Sequence, residues 1–385
     1  MTRARGLVAA FATLYFVQGV CEPVYGLLAQ PVRAQLLRTG STPGETARAM
    51  ALLGLPWLLK PLFGPLIDRG HQRAWMSLAS ALACAGFVTL ALSSDVARWS
   101  WLALLLLPSF AIALGDVATD ALMVQHGQRL AITGVLQSAQ WSASYLGTLA
   151  IGWWGGALAG DARWAFTLAA VLSALGFASS LTVAPTQAAA RVRFSLRAAL
   201  TPRVRWAALF LFLLGFNPFH ALDYVHITRD LGLSDGHYGQ TVSVGAAFSL
   251  TTCLLYGWLS KRVELARLGH AALGCSLIAT LSVLLVDGAW SNFAVNGLTS
   301  MAWTFTLLMQ LDLAARLCPP EYAGTVFALL MGVSNGADTL AAYLGGTLHD
   351  WLAPSWGAQH AYALLVVIGA ACTALAWLPM RAAER

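Results

Sequence analysis

Gly115-Asp116-Val117-Ala118-Thr119-Asp120-Ala121-Leu122-Met123-Val124-Gln125 sets two carboxylates inside an apolar run that begins at Trp101. On a helix the i and i+4 positions stack on one face, so Asp116 and Asp120 point the same way, about 6 Å apart. A charged acid at bilayer depth costs roughly 2.5–3.5 kcal/mol on insertion scales. Two on one face call for a polar interior, a cation partner or bound protons, and they mark a candidate functional site inside a membrane helix.

Composition makes that depth a bilayer depth. Of 385 residues, 58% are hydrophobic and 10% are charged, whereas soluble domains carry about 25% charged residues. Apolar runs of spanning length fall near 7–29, 47–67, 74–94, 101–124, 132–157, 162–184, 204–226, 238–260, 268–287, 290–314, 322–347 and 358–379. The expected fold is an all-α, multi-pass membrane protein of twelve transmembrane helices. Arg3 and Arg5 precede the first run as in a signal peptide, but Glu22-Pro23 interrupts it and no small-x-small cleavage site follows. It is expected to stay as the first span.

With a cytoplasmic amino terminus, the inner segments hold Arg69, Arg73, Arg129, Arg191, Arg193, Arg197, Lys261, Arg262 and Arg316 among others. The outer loops hold Arg33, Arg38, Arg48, Arg98, Arg163 and Arg229. The positive-inside rule thus places both termini in the cytoplasm, and a bacterial inner membrane is the expected location. The net charge of +6 belongs to these inner loops and not to a nucleic-acid surface. The six cysteines are isolated, without metal-ligand spacing. No phosphate-binding loop or nucleophile constellation is present, so neither enzyme activity nor a metal or other cofactor is expected.

The basic stretch 185–203 divides the spans six and six, predicting bundles at 1–184 and 204–385 joined by a cytoplasmic linker. Internal echoes point to duplication. Gly64-Pro65-Leu66-Ile67-Asp68-Arg69 ends span 2 as Gly257-Trp258-Leu259-Ser260-Lys261-Arg262 ends span 8, and Glu22-Pro23 in span 1 is matched by Asn217-Pro218 in span 7. The glycine pairs Gly134/Gly155 and Gly324/Gly345 keep one spacing in spans 5 and 11. Pseudo-symmetric six-helix halves are how many secondary transporters build a substrate site at the bilayer midplane. Thr42-Pro43-Gly44-Glu45 reads as a capping box, and Ser234-Asp235 as the start of span 8.

Leu59-Lys60-Pro61-Leu62-Phe63-Gly64-Pro65-Leu66-Ile67-Asp68-Arg69, with Arg73 after it, resembles the span 2 to 3 signature of the major facilitator superfamily. The intramembrane Lys60 and the Asp116-x-x-x-Asp120 pair are similar to one branch, that of muropeptide permeases, acetyl-coenzyme A transporters, folate and biopterin transporters and siderophore permeases. Gln72 replaces the usual loop glycine, and Gln125 replaces a third acid of span 4. The resemblance implies a monomeric secondary transporter taking up a medium-sized polar or anionic small molecule, such as a siderophore, muropeptide or pterin, by alternating access and proton symport. An exporter of the same fold, or a polytopic sensor or membrane enzyme, is the rival expectation.

The same resemblance puts spans 1, 4, 7 and 10 around the cavity, and each carries an acid: Glu22, Asp116 with Asp120, Asp223, and Asp312. Glu22 is either a proton carrier or a carboxylate bonded to a neighbouring helix. Asp223, between His220 and His226, is read as a metal site, an outer gate or a wet interfacial cluster. Asp312 is a solvated interface residue or a gate, and Asp338 with Asn335 lines the cavity or packs. Asn217 joins the candidate substrate or proton pathway. Gly64, Asp68, Arg69 and Arg73 form the expected conformational latch. Lys60 either snorkels or pairs with Asp116 or Asp120, unless Arg73 reaches Asp120 and leaves Lys60 to an anionic substrate. Trp57, Trp141 and Trp303 are placed to face a ligand or to pack.

Cysteine-accessibility labelling in a cysteine-free background should find positions 40, 160, 232 and 355 outside and positions 71, 195 and 262 inside. The reversed pattern would overturn the orientation.

Overall fold

The computed structural model describes residues 2–23, 28, 31–32, 35–36, 39, 43–93, 98–158, 162–184, 200–223 and 226–384. Linker residues 185–199, the Thr42 cap and the loop arginines Arg33 and Arg38 lie outside them. The first helices are α1 (Thr2–Cys21), α2 (Pro43–Leu58), α3 (Lys60–Ile67), α4 (Gln72–Leu92), α5 (Arg98–Leu130), α6 (Thr133–Leu158) and α7 (Ala162–Thr182). They are followed by α8 (Pro202–Gly215), α9 (Asp235–Leu259), α10 (Leu265–Ser282), α11 (Ala289–Leu317), α12 (Ala323–Trp356), α13 (Ala358–Leu375) and α14 (Trp377–Glu384). Among the described residues seven helical stretches are long and apolar enough to cross a membrane. Large apolar side chains such as Leu92, Val171, Leu254 and Ile278 stay exposed on them, as a lipid-facing surface requires.

Prolines explain why several expected spans are broken helices. Span 2 is α2 plus α3, with Leu59 between, because Pro61 has no N–H to offer the carbonyl four residues back. The chain resumes at once, Leu62 N–H donating to Leu59 O at 2.9 Å. In span 1 the helix ends at Cys21, ahead of Pro23. Span 7, expected as one helix over 204–226, is corrected most. There α8 stops at Gly215 before Pro218, a 3-10 turn covers His220–Leu222, and a π-helical turn covers His226–Asp230. Asn217 Nδ2 meets the freed Leu214 carbonyl at 2.7 Å. The start of α9 is capped as expected, Ser234 Oγ accepting from the His237 N–H at 3.1 Å.

The chain divides into two compact units, Met1–Phe194 with Pro319–Ala328, and Ser195–Cys318 with Leu329–Arg385. In the first unit α4 packs between α5 and α7, and α1 lies on α6 and α7. Phe87, Trp101 and Phe166 anchor one of its cores, and Phe11, Leu122 and Leu136 another. In the second unit α11 packs on α9 and α10, and Phe219, Tyr362, Leu365 and Val366 form a core beside the broken stretch of span 7.

Gly345 of α12 meets that broken stretch at backbone distance: a Cβ there would stand 1.9 Å from Pro218 O. No flexible side chain can yield, so only glycine fits. Gly345→Ala should destabilise the purified protein by about 1–3 kcal/mol, read as a lower thermal midpoint in detergent. Gly336→Ala in the same helix, where nothing lies within 4 Å, should leave the midpoint unchanged or higher. Equal midpoints for the two variants would contradict the packing.

Candidate functional site

Charged and polar groups from α1, α3 and α5 converge inside the first unit. Lys60 Nζ forms an ion pair with Asp116 Oδ2. The two side chains are 11% and 9% exposed, so the ammonium does not snorkel away. Its other face is covered by Trp57, whose ring centroid lies 3.8 Å from Nζ, a cation–π contact. Gln18 of α1, with its amide oriented to satisfy both its atoms, donates to Asp116 Oδ1 at 2.9 Å and accepts from the Asp116 N–H at 3.3 Å.

One turn along α5, Asp120 accepts a hydrogen bond from the Tyr15 hydroxyl of α1. Thus the two carboxylates that sequence places on one face have different partners, a cation for one and a neutral donor for the other. Arg73 does not reach this pair: its Nη2 donates to Leu181 O at 2.7 Å. Glu22 is buried just past the end of α1, its N–H donating to Gln18 O at 2.9 Å. Sequence reasoning missed Tyr15 and Gln18, whose only signal is their register on one face of an apolar helix.

The expected latch is brought together in part. Asp68 Oδ1 and Oδ2 accept from the N–H groups of Gly324 and Thr325 at 2.8 and 2.7 Å. A carboxylate thus caps the positive end of α12. Gly64 permits the approach, since a Cβ there would lie 2.5 Å from Thr325 Cα. Arg69 is exposed, and Arg73 ties α4 to α7 instead.

In the second unit Asp223 Oδ1 accepts from the Tyr362 hydroxyl at 2.6 Å, while His220 Nε2 stands 3.8 Å from Oδ2. His226 stacks on Tyr362 at 4.0 Å and contacts Asp230 at 3.0 Å, and His220 meets Trp303 edge to face at 4.6 Å. Among the described residues no group of three or more His, Cys, Asp or Glu is arranged to hold a metal ion. Asp312, expected at a solvated interface or gate, is 0% exposed. It accepts from Arg316 Nε and Nη2 at 3.0 and 2.9 Å and from the Tyr256 hydroxyl at 3.3 Å. Asn217 serves the helix break described above. Asn335 and Asp338 are exposed in the middle of α12.

A family model described as the BT1 family matches residues 36–382. The chain is 27% identical over 389 aligned residues to the folate-biopterin transporter of Synechocystis sp., covering 93% of this chain and 78% of that one. It is 24% identical over 341 to probable folate-biopterin transporter 2 of Arabidopsis thaliana, covering 80% and 68%. Among solved structures, the major facilitator superfamily transporter FucP in its outward conformation is similar with a TM-score of 0.75 at 11% identity, over 98% of both chains. At that identity the likeness is one of fold. The molecule is an integral membrane transporter with the twelve-helix major facilitator fold, not an enzyme.

Removing one partner of a buried ion pair strands the other charge, at a cost of about 3–5 kcal/mol. Lys60→Ala should therefore lower thermal stability in detergent by that order, and adding Asp116→Ala should recover part of the loss. Adding Asp120→Ala should recover less, because its bonded partner is Tyr15. Losses that are purely additive for Lys60 and Asp116 would contradict the pairing.

Proposed function

The chain belongs to the BT1 family, and on that footing we propose that it carries an anionic pterin or folate-type metabolite inward across a bacterial inner membrane by proton-coupled alternating access. The observation that carries this reading is the Lys60–Asp116 ion pair with the Tyr15–Asp120 hydrogen bond one turn away. A carboxylate on the substrate competes with Asp116 for Lys60. Once Asp116 loses its cation, protonation is the least costly way to keep it at that depth. Anion binding and proton uptake are thereby linked, and the loaded cluster carries the same net charge as the empty one.

Asp120, already bonded to a neutral hydroxyl, and Glu22, buried at the end of α1, are the further stations for that proton. The halves 1–184 and 204–385 move about the linker 185–203, both termini stay in the cytoplasm, and one chain suffices. Asp68 on the N-terminus of α12 acts as the latch, making and breaking two hydrogen bonds per cycle. The relatives named for folate and biopterin support the substrate class.

Proteoliposomes holding the purified protein should accumulate folic acid when the lumen is made alkaline, and a protonophore should abolish the accumulation. Uptake of folic acid and 6-hydroxymethylpterin at the level of empty liposomes would overturn the substrate class, and uptake indifferent to the gradient would overturn the coupling.

A further inference from the structure

Three polar atoms on one turn of α6, Gln137 Oε1, Gln140 Oε1 and Trp141 Nε1, are buried with no hydrogen-bond partner among the described residues. At i, i+3 and i+4 they share one face of the helix, and Gln137 is only 1% exposed. A buried amide oxygen or indole N–H without a partner forfeits the hydrogen bonds that water gave it, and each such group calls for an explanation. Trp57 Nε1, beside Lys60, is buried and unpartnered in the same way.

Gln140 lies level with the Tyr15–Asp120 end of the charged cluster: Gly19 of α1 meets Ser144 of α6 and Val20 meets Gly147, so the two helices run the same way, and Tyr15 and Gln140 each stand four residues before the first of these contacts. The helix that supplies Tyr15 and Gln18 also lies on α6, where a Cβ at Gly19 would be 3.6 Å from Ser144 Cα.

We infer that Gln137, Gln140 and Trp141 form a reading wall for the flat, lactam-bearing ring of the substrate, an inference that rests on the pterin or folate class proposed above. The chemistry is complementary. A pterin ring sets an N–H donor beside a carbonyl acceptor, and a carboxamide sets an acceptor beside a donor, so the two close a pair of hydrogen bonds, as glutamine does on adenine. The indole of Trp141 adds one donor and a stacking face. The ring end of a folate is thus read by neutral amides, while its carboxylates are left to Lys60.

Gln137→Met and Gln140→Met keep the side-chain length and remove the amide, and Trp141→Phe keeps the stacking face and removes the N–H. Binding of 6-hydroxymethylpterin and of p-aminobenzoylglutamate, the two ends of a folate, is measured on the full-length protein in detergent together with the unliganded thermal midpoint. The expected result is a midpoint unchanged or raised, since an unpaired buried polar group is lost, with hydroxymethylpterin binding about tenfold weaker per variant and p-aminobenzoylglutamate binding unchanged. Hydroxymethylpterin bound as tightly by the variants as by the wild type would overturn this inference alone. So would a lowered midpoint with both ligands weakened alike, which marks the amides as structural. A wild type that binds neither probe nor folic acid would overturn the proposed substrate class as well.

Discussion

A charge in the bilayer interior must be neutralised by a partner or by a proton, and the first unit is built around one such neutralisation, Lys60 on Asp116. Three helices are committed to it: α3 brings the lysine, α5 the acid, and α1 the Gln18 amide that occupies the second carboxylate oxygen. The second unit meets the same constraint at the same spacing. Tyr256 and Asp312 are 56 residues apart, as are Lys60 and Asp116, but a neutral hydroxyl stands where the lysine does, and Arg316 one turn along α11 supplies the cation. That second acid is fully buried and held by three hydrogen bonds, which fits a fixed structural element. In the first pair the cation comes from a different helix, and Gln18 of a third helix holds the other carboxylate oxygen.

Proline and glycine place the polar groups that a continuous helix would keep apart. Pro61 ends one helical segment and lets α3 restart at Lys60, turning the ammonium toward α5. Pro218 stops α8 early, so that Asp223 and His226 reach Tyr362 from tight turns and not from a helix surface. Gly345 admits the Pro218 carbonyl, and Gly64 admits the backbone of Thr325 so that Asp68 can reach two N–H groups. Each device trades regular backbone for close approach.

The parts of this arrangement that break a local rule were legible in the sequence. Lysine and two aspartates in apolar runs violate the composition of a membrane span, so Lys60, Asp116 and Asp120 stand out, and the i, i+4 spacing already places both acids on one face. Tyr15, Gln18 and Tyr362 break no rule, because a tyrosine or glutamine in an apolar helix reads equally as interfacial or packed, and Tyr362 is 139 residues from the acid it bonds. Asp312, read as a solvated interface residue or a gate, is fully buried, and Arg316, four residues on, was a visible signal of a paired acid. The span over 204–226 is not continuous, because the missing N–H of Pro218, which the sequence shows as a weak point in the backbone ladder, ends the helix at Gly215.

The central claim is that the acids beside Lys60 couple substrate to protons. Its most direct test is the Asp120→Asn variant in proteoliposomes, with folic acid counterflow and gradient-driven accumulation measured on the same preparation. Asparagine can still bond Tyr15 but cannot pass on the proton that Asp116 takes up, so the account predicts that exchange persists while accumulation is lost. Accumulation at the wild-type level would contradict it.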